Sequence, residues 1–159
     1  MRHNRCLQIA LRPATADDFE FARKAHHEAL GPHIERLFGW DADYQAARCR
    51  SCFSPDGASV LLMKGEQIGW LKVLEDDDRT YLSQLFILPR FQNRGVGSTV
   101  LTQLTGAWRT KAKPVRLGVF KDNPARRLYE RFGFVVESEE ETRYVMRWSP
   151  DRISNVDTI

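Results

Sequence analysis

Residues 90–98 read R-F-Q-N-R-G-V-G-S and follow directly on the apolar run Leu85-Phe86-Ile87-Leu88-Pro89. Where a strand stops and a helix starts, such a segment offers consecutive backbone N–H groups, two positions without a Cβ and nearby positive charge. Together with the positive end of the helix dipole these are the ingredients of an anion cradle. A Walker-type phosphate loop is excluded, because Val96-Gly97-Ser98 supplies no lysine after the last glycine. A dinucleotide fingerprint is excluded too: its third glycine position is Val100, and three strands joined by hairpin turns come first. What remains, Gln92-x-x-Gly95-x-Gly97 opening a helix, suits a diphosphate. The glycines would let the backbone approach the phosphates. Pro89 would end the strand and leave its last backbone groups for an extended ligand.

A second group of residues follows about thirty positions on. Asn123 is a good N-cap with Pro124 at the first helical position, and Gly133 stands where a C′ glycine belongs. Between them, Leu128-Tyr129-Glu130-Arg131-Phe132-Gly133-Phe134 puts a phenol on the inward face of a short helix.

The two stretches together resemble the GNAT superfamily of acetyl-CoA-dependent N-acetyltransferases. Its strand-x-x-P followed by Q/R-x-x-G-x-G/A is matched by Ile87-Leu88-Pro89 and by Gln92 to Gly97, and its Asn-initiated L-Y-E-x-x-G-F helix by Asn123 and residues 128–134. With the element order, the resemblance covers roughly residues 8 to 148. It implies acetyl-CoA as co-substrate, and no metal is expected. Backbone groups of Phe86, Ile87 and Leu88 would bind the pantetheine arm. The N–H groups of Gln92, Asn93, Arg94, Gly95, Val96, Gly97 and Ser98 would hold the pyrophosphate. Asn123 is either a further cofactor contact or a plain cap, and Arg126 joins the same set. Tyr129 stands where the family places the acid that protonates the departing thiolate.

The general base is where the chain departs from the family. One usual strand position holds Leu117 or Gly118 and the other Ser83 or Gln84, none of which can take a proton. His26, His27, Glu28 and Glu35 are the alternatives to a water chain or solvent, and helical histidines are more often surface residues. The resemblance places the acceptor pocket between the first two helices and the last strands, a region that offers His26, Trp40, Trp70 and Tyr144. Its aromatics fit a small amine or a peptide N-terminus better than a phosphorylated acceptor. The acidic turn 75–78 reads as a solvated hairpin tip, and Cys49-x-x-Cys52 lacks a second ligand pair for zinc.

The expected activity is therefore transfer of an acetyl group from acetyl-CoA to a primary amine of a small molecule or peptide, by direct attack in a ternary complex. A non-catalytic acyl-CoA-binding protein and a transferase for longer acyl-CoA are the alternatives.

The elements that must hold these residues follow from periodicity. A strand over residues 8–12 precedes a helix capped by Thr15 with Asp18 three residues on, which Gly31-Pro32 should end. Ile34, Leu37 and Phe38 suggest a second short helix, and a third segment runs from Asp41 to about Cys52. Strands at 58–63, 67–74 and 80–88, turning at 64–66 and 75–78, should pair antiparallel. Val96, Val100, Leu101, Leu104, Ala107 and Trp108 mark an amphipathic helix, residues 115–120 a strand, and 134–136 and 142–148 the last strands. The fold class is α/β (α+β): a mixed, mostly antiparallel sheet of six to seven strands flanked by about four helices.

One domain over residues 1–148 with a polar tail at 149–159 suits a chain of 159 residues carrying 42% hydrophobic and 28% charged residues. The net charge of +3 is scattered, so no nucleic-acid partner is expected. No apolar stretch nears the roughly 20 residues of a membrane span. Three cysteines, Cys6, Cys49 and Cys52, suit a reduced cytoplasmic protein, monomeric or homodimeric.

Overall fold

Two short turns set the register of the first half of the sheet. Lys64 and Gly65 both take positive φ, 51° and 78°, as a two-residue hairpin loop requires, and join β2 (Ala58–Met63) to β3 (Glu66–Glu75). The acidic tip then returns β3 into β4 (Thr80–Ile87), where Asp76 accepts the N–H groups of Asp78 and Arg79 at 2.9 Å each. With β1 (Ala10–Pro13) against β2, all these neighbours are antiparallel.

Helix α3 (Val96–Lys111) carries the chain across the sheet to β5 (Val115–Phe120), which lies parallel to β4. Helix α4 (Ala125–Arg131), β6 (Val135–Glu139) and β7 (Arg143–Trp148) complete a seven-stranded sheet ordered β1-β2-β3-β4-β5-β7-β6. Helices α1 (Phe19–Phe38) and α2 (Ala42–Cys52) lie between β1 and β2 in the chain. The structure, a computed structural model, describes residues 7–151. Cys6, the basic start of the chain and positions 152–159 of the expected tail lie outside the described residues.

The parallel pair positions the site. β4 and β5 pair only at Thr80↔Val115 and Tyr81↔Arg116, although β4 continues to Ile87 and β5 to Phe120. Beyond Tyr81 the two strands part and leave an opening in the middle of the sheet. A bulge on β4 accompanies it: Lys72 faces Gln84 and Val73 faces Leu82, so Ser83 is the extra residue. Where the strands still meet, the core is dense. Trp108 of α3 packs on Trp148 and Phe134, with ring centroids 5.8 and 6.4 Å apart.

Three expectations need correction. Gly31-Pro32 does not end the first helix, which runs unbroken to Phe38. Pro32 forfeits one backbone bond, but the far half is anchored by buried Ile34 and by His33 and Arg36, which reach Asp122 at 3.2 and 3.0 Å. Gly39, at φ 74°, ends it instead, and Asp41 then caps α2 by accepting the Tyr44 N–H at 2.9 Å. The first strand begins two residues later than expected, at Ala10. β6 runs on to Glu139; it is an edge strand exposed at every position, so no alternation of burial marks its length.

The capping box at Thr15 is present. Asp18 accepts the Thr15 N–H at 2.8 Å and two bonds from Arg12 at 2.9 and 3.1 Å, through a 3-10 turn that leads into α1. Among the described residues, no helix is long and apolar enough to cross a membrane.

Candidate active site

The parting of β4 from β5 divides the centre of the molecule into two clefts. One, of about 270 Å³, runs along the glycine loop and α4; the other, of about 330 Å³, lies between α1, α2 and the open strands. Leu30, Leu85, Asn123 and Tyr129 line both, so the clefts meet beside α4, at Asn123 and Tyr129.

The glycine-loop groove is a backbone structure. Gly95 sits at φ 84° immediately before α3, a left-handed conformation that glycine adopts without strain. Asn93 takes φ 59°. The first helical bond is Thr99 N–H to the Gly95 carbonyl at 3.0 Å, so the N–H groups of Val96, Gly97 and Ser98 have no partner within the helix. The Gln92 N–H is not among the available donors, because it donates to the Pro89 carbonyl at 3.1 Å. The Gln92 side chain also braces the loop, donating from Nε2 to the Ile87 carbonyl at 2.8 Å.

Gly97 lines the groove and has a packing role as well. A Cβ there would come within 2.7 Å of Leu128 Cδ2, so its missing side chain lets α3 approach α4 closely. Gly95 has room for a Cβ, and its conformation is what calls for glycine.

On the open edge of β4, residues alternate between facing β3 and facing the gap. The Leu88 N–H donates to the Ile68 carbonyl at 3.0 Å, and the Phe86 carbonyl lies against Gly69. Both therefore point toward β3, and the backbone groups that face the gap belong to Leu85 and Ile87. Leu85 was missed in the sequence, and strand alternation was the signal that could have found it. Phe86 instead contributes its ring to the α1–α2 cleft, 5.5 Å edge-on from His26.

Arg126 lies away from the groove: it donates to Glu130 at 2.8 Å and stacks over Tyr144 at 4.3 Å. Arg94 is 5.8 Å from the Phe91 ring. Among the described residues, the cation lining the groove is Arg131, which donates to Ser98 Oγ at 3.1 Å. Its spacing of three from Leu128 places both on one helix face, a pattern the sequence carried.

At the junction, Asn123 Oδ1 accepts the Ala125 N–H at 2.9 Å, so the residue caps α4 while lining both clefts. Tyr129 is only 8% exposed, its ring 5.7 Å edge-on to Phe134. Burial pushes its phenol up to about 12. It stays a protonated donor throughout the neutral range.

The α1–α2 cleft is built from side chains of distant segments. Trp70, 1% exposed, donates from Nε1 to Gln84 Oε1 at 2.8 Å and forms one wall. His26 lines the cleft, 4.0 Å from Cys49 Sγ, and its imidazole is shifted below its ordinary 6.5 by burial first and by nearby Arg48. Burial also raises the Cys49 thiol.

Trp40 and Tyr144 are not in this cleft. Trp40 stacks on His27 at 4.4 Å and borders a separate hollow beside α2, and Tyr144 pairs with Val119 beneath Arg126. Sequence reading missed Arg48, Phe53, Lys72, Tyr81, Phe120 and Arg143, which all line the cleft. Among the described residues, no group of three or more His, Cys, Asp or Glu side chains could hold a metal ion.

Residues 15–134 match the sequence profile of the acetyltransferase (GNAT) family. No curated protein matches the chain. Among solved structures, the PaiA N-acetyltransferase of Thermoplasma acidophilum in complex with coenzyme A superposes with a TM-score of 0.74 at 17% identity, over 90% of this chain and 99% of that one. The ribosomal-protein-S18-alanine N-acetyltransferase of Escherichia coli gives 0.65 at 16% identity, covering 92% and 97%. Arabidopsis thaliana Naa50, in complex with the bisubstrate analogue CoA-Ac-MVNAL, gives 0.60 at 15% identity, covering 89% and 98%.

Proposed function

The chain belongs to the acetyltransferase (GNAT) family, and from that premise we propose that it transfers an acetyl group from acetyl-CoA to a primary amine by direct attack in a ternary complex. The observation that carries this reading is the meeting of two clefts at Tyr129, so that two substrates can be held at once. Structural relatives in complex with coenzyme A and with the bisubstrate analogue CoA-Ac-MVNAL support the same donor and an amine acceptor.

The first-turn N–H groups of α3, the positive-φ loop and Arg131 hold the pyrophosphate. The open-edge backbone of Leu85 and the Ile87 N–H hold the pantetheine arm, with the Ile87 carbonyl taken by Gln92, and deliver the thioester to Tyr129. The acceptor nitrogen forms the new C–N bond as the C–S bond breaks. Tyr129 donates its proton to the departing sulfur and regains one from the acylated nitrogen.

Among the described residues, His26 is the one imidazole lining the acceptor cleft, and burial lowers its pKa, which favours the free base at neutral pH. We assign it, rather than bulk solvent, to receive the proton of the entering ammonium, through water. Soluble protein, monomeric or homodimeric, working in the cytoplasm as a single domain over residues 1–148 is part of the same proposal.

The test is thiol release from acetyl-CoA across a panel of amines, with longer acyl-CoAs alongside. Steady release that depends on the amine is expected. Tight CoA binding with no release for any amine would overturn the transfer reading in favour of a binding protein, and faster release from longer donors would reassign the acyl group.

A further inference from the structure

Among the described residues, four cationic side chains line the acceptor cleft, namely Arg23, Arg48, Lys72 and Arg143, and neither an aspartate nor a glutamate does. Arg23 is already matched by Glu20 at 2.9 Å, outside the cleft. The other three keep their charge uncompensated. Lys72 Nζ donates to the Ser54 carbonyl at 2.9 Å, a neutral acceptor. Arg48 reaches only the Tyr44 hydroxyl at 3.5 Å, and the Arg143 guanidinium lies 4.5 Å from the Phe120 ring centroid. Among the described residues none of the three has a carboxylate partner.

The three come from α2, β3 and β7, so their convergence belongs to the cleft and not to one basic stretch of chain.

Resting on the acetyl-transfer reading, we propose that the acceptor is a small anionic amine, one that carries a carboxylate or phosphate held by Arg48, Lys72 and Arg143. A cationic polyamine or the side chain of a lysine-rich protein would meet positive charge on three walls and nothing to offset it. An amino acid or amino phosphate brings the missing negative charge, and the cleft volume of about 330 Å³ is that of a small-molecule site. Trp70 and Phe53, whose ring centroids lie 6.0 Å apart, cover the body of such a ligand. Its ammonium loses its proton to His26 before attack, which also removes the one charge the cleft disfavours.

The experiment compares matched acceptors differing in charge: an α-amino acid against its C-terminal amide, ethanolamine against O-phosphoethanolamine, and a diamine. Amine-dependent thiol release is followed at low and high salt. The anionic member should lead by roughly tenfold or more in kcat/KM, the size of a hydrogen bond to a charged group. That lead should shrink with added salt.

In Arg48→Gln and Arg143→Gln, the ratio of anionic to neutral turnover should collapse toward one while CoA affinity is kept. The carboxylate and phosphate pairs identify which anion is preferred. Equal rates within both the carboxylate and the phosphate pair, preference for the diamine, or an unchanged ratio in both variants would overturn the proposal and leave acetyl transfer standing. Release with no amine at all would overturn both.

Discussion

The glycine-loop groove and the acceptor cleft lie a few residues apart, yet they are made of different materials. The groove is formed by backbone: N–H groups freed by a helix start, a left-handed glycine at φ 84° and the unpaired edge of β4. The cleft is formed by side chains drawn from α1, α2, four strands and the loops between them. A backbone cradle suits a ligand that is the same throughout a family, because its donors depend on chain geometry and survive most side-chain changes. A cleft of side chains can be refitted one position at a time, which suits an acceptor that differs from one relative to the next.

The sharpest way to test this division is at the junction. Tyr129→Phe keeps the shape and removes the proton donor, so kcat should fall by about 10²–10⁴, the range for a general acid. CoA affinity by calorimetry should be unchanged. A kcat within a factor of about two of the parent would leave Tyr129 as packing against Phe134.

Next in size is Gly95→Asp, which places a carboxylate at the mouth of the proposed pyrophosphate cradle. Like-charge juxtaposition costs several kcal/mol, so CoA affinity should drop by about a hundredfold or more. Circular dichroism would show whether the fold is intact. Full affinity in a folded variant would move the phosphate site elsewhere.

His26→Gln probes the other side of the comparison. Because burial lowers the imidazole pKa, the ascending limb of kcat/KM should fall below pH 6.5 and stay fixed across amines of different pKa. In the variant the limb should disappear, with a loss of about tenfold on the plateau, less than a directly placed base would give. A limb that tracks the pKa of the amine would return the deprotonation to solvent.

The smallest effect is expected at Gly97, whose backbone N–H serves the groove while its missing side chain serves packing. Gly97→Ala puts a methyl 2.7 Å from a flexible terminus of Leu128, at a cost of about 1 kcal/mol in denaturant unfolding. CoA affinity should change far less than in Gly95→Asp. Equal loss of affinity in both variants would mean that the two glycines share one role.

Much of the groove was legible because its features are local. A glycine before an apolar periodicity, an asparagine two residues ahead of a helix and a proline after a strand each state their geometry within a few positions. The element order, the antiparallel hairpins, the Thr15–Asp18 box and the inward face carrying Tyr129 followed from the same kind of evidence.

The acceptor cleft was not legible in that way. Trp40 and Tyr144 are aromatics of the expected type in the expected region, and they face His27 and Arg126 instead. Arg48, Lys72 and Arg143 carry no motif and are separated in the chain by tens of residues.

Helix α1 runs on through Pro32, its far half packed by buried Ile34 and paired with Asp122 nearly ninety residues away, contacts that no local pattern announces. The sequence by itself determined where the backbone must turn, cap and alternate, since those choices rest on dihedral preference and neighbouring hydrogen bonds. Only the tertiary structure decided that β4 and β5 part after Tyr81, and hence which side chains face the opening and which charges there stay unmatched, because those depend on packing between segments far apart in the chain.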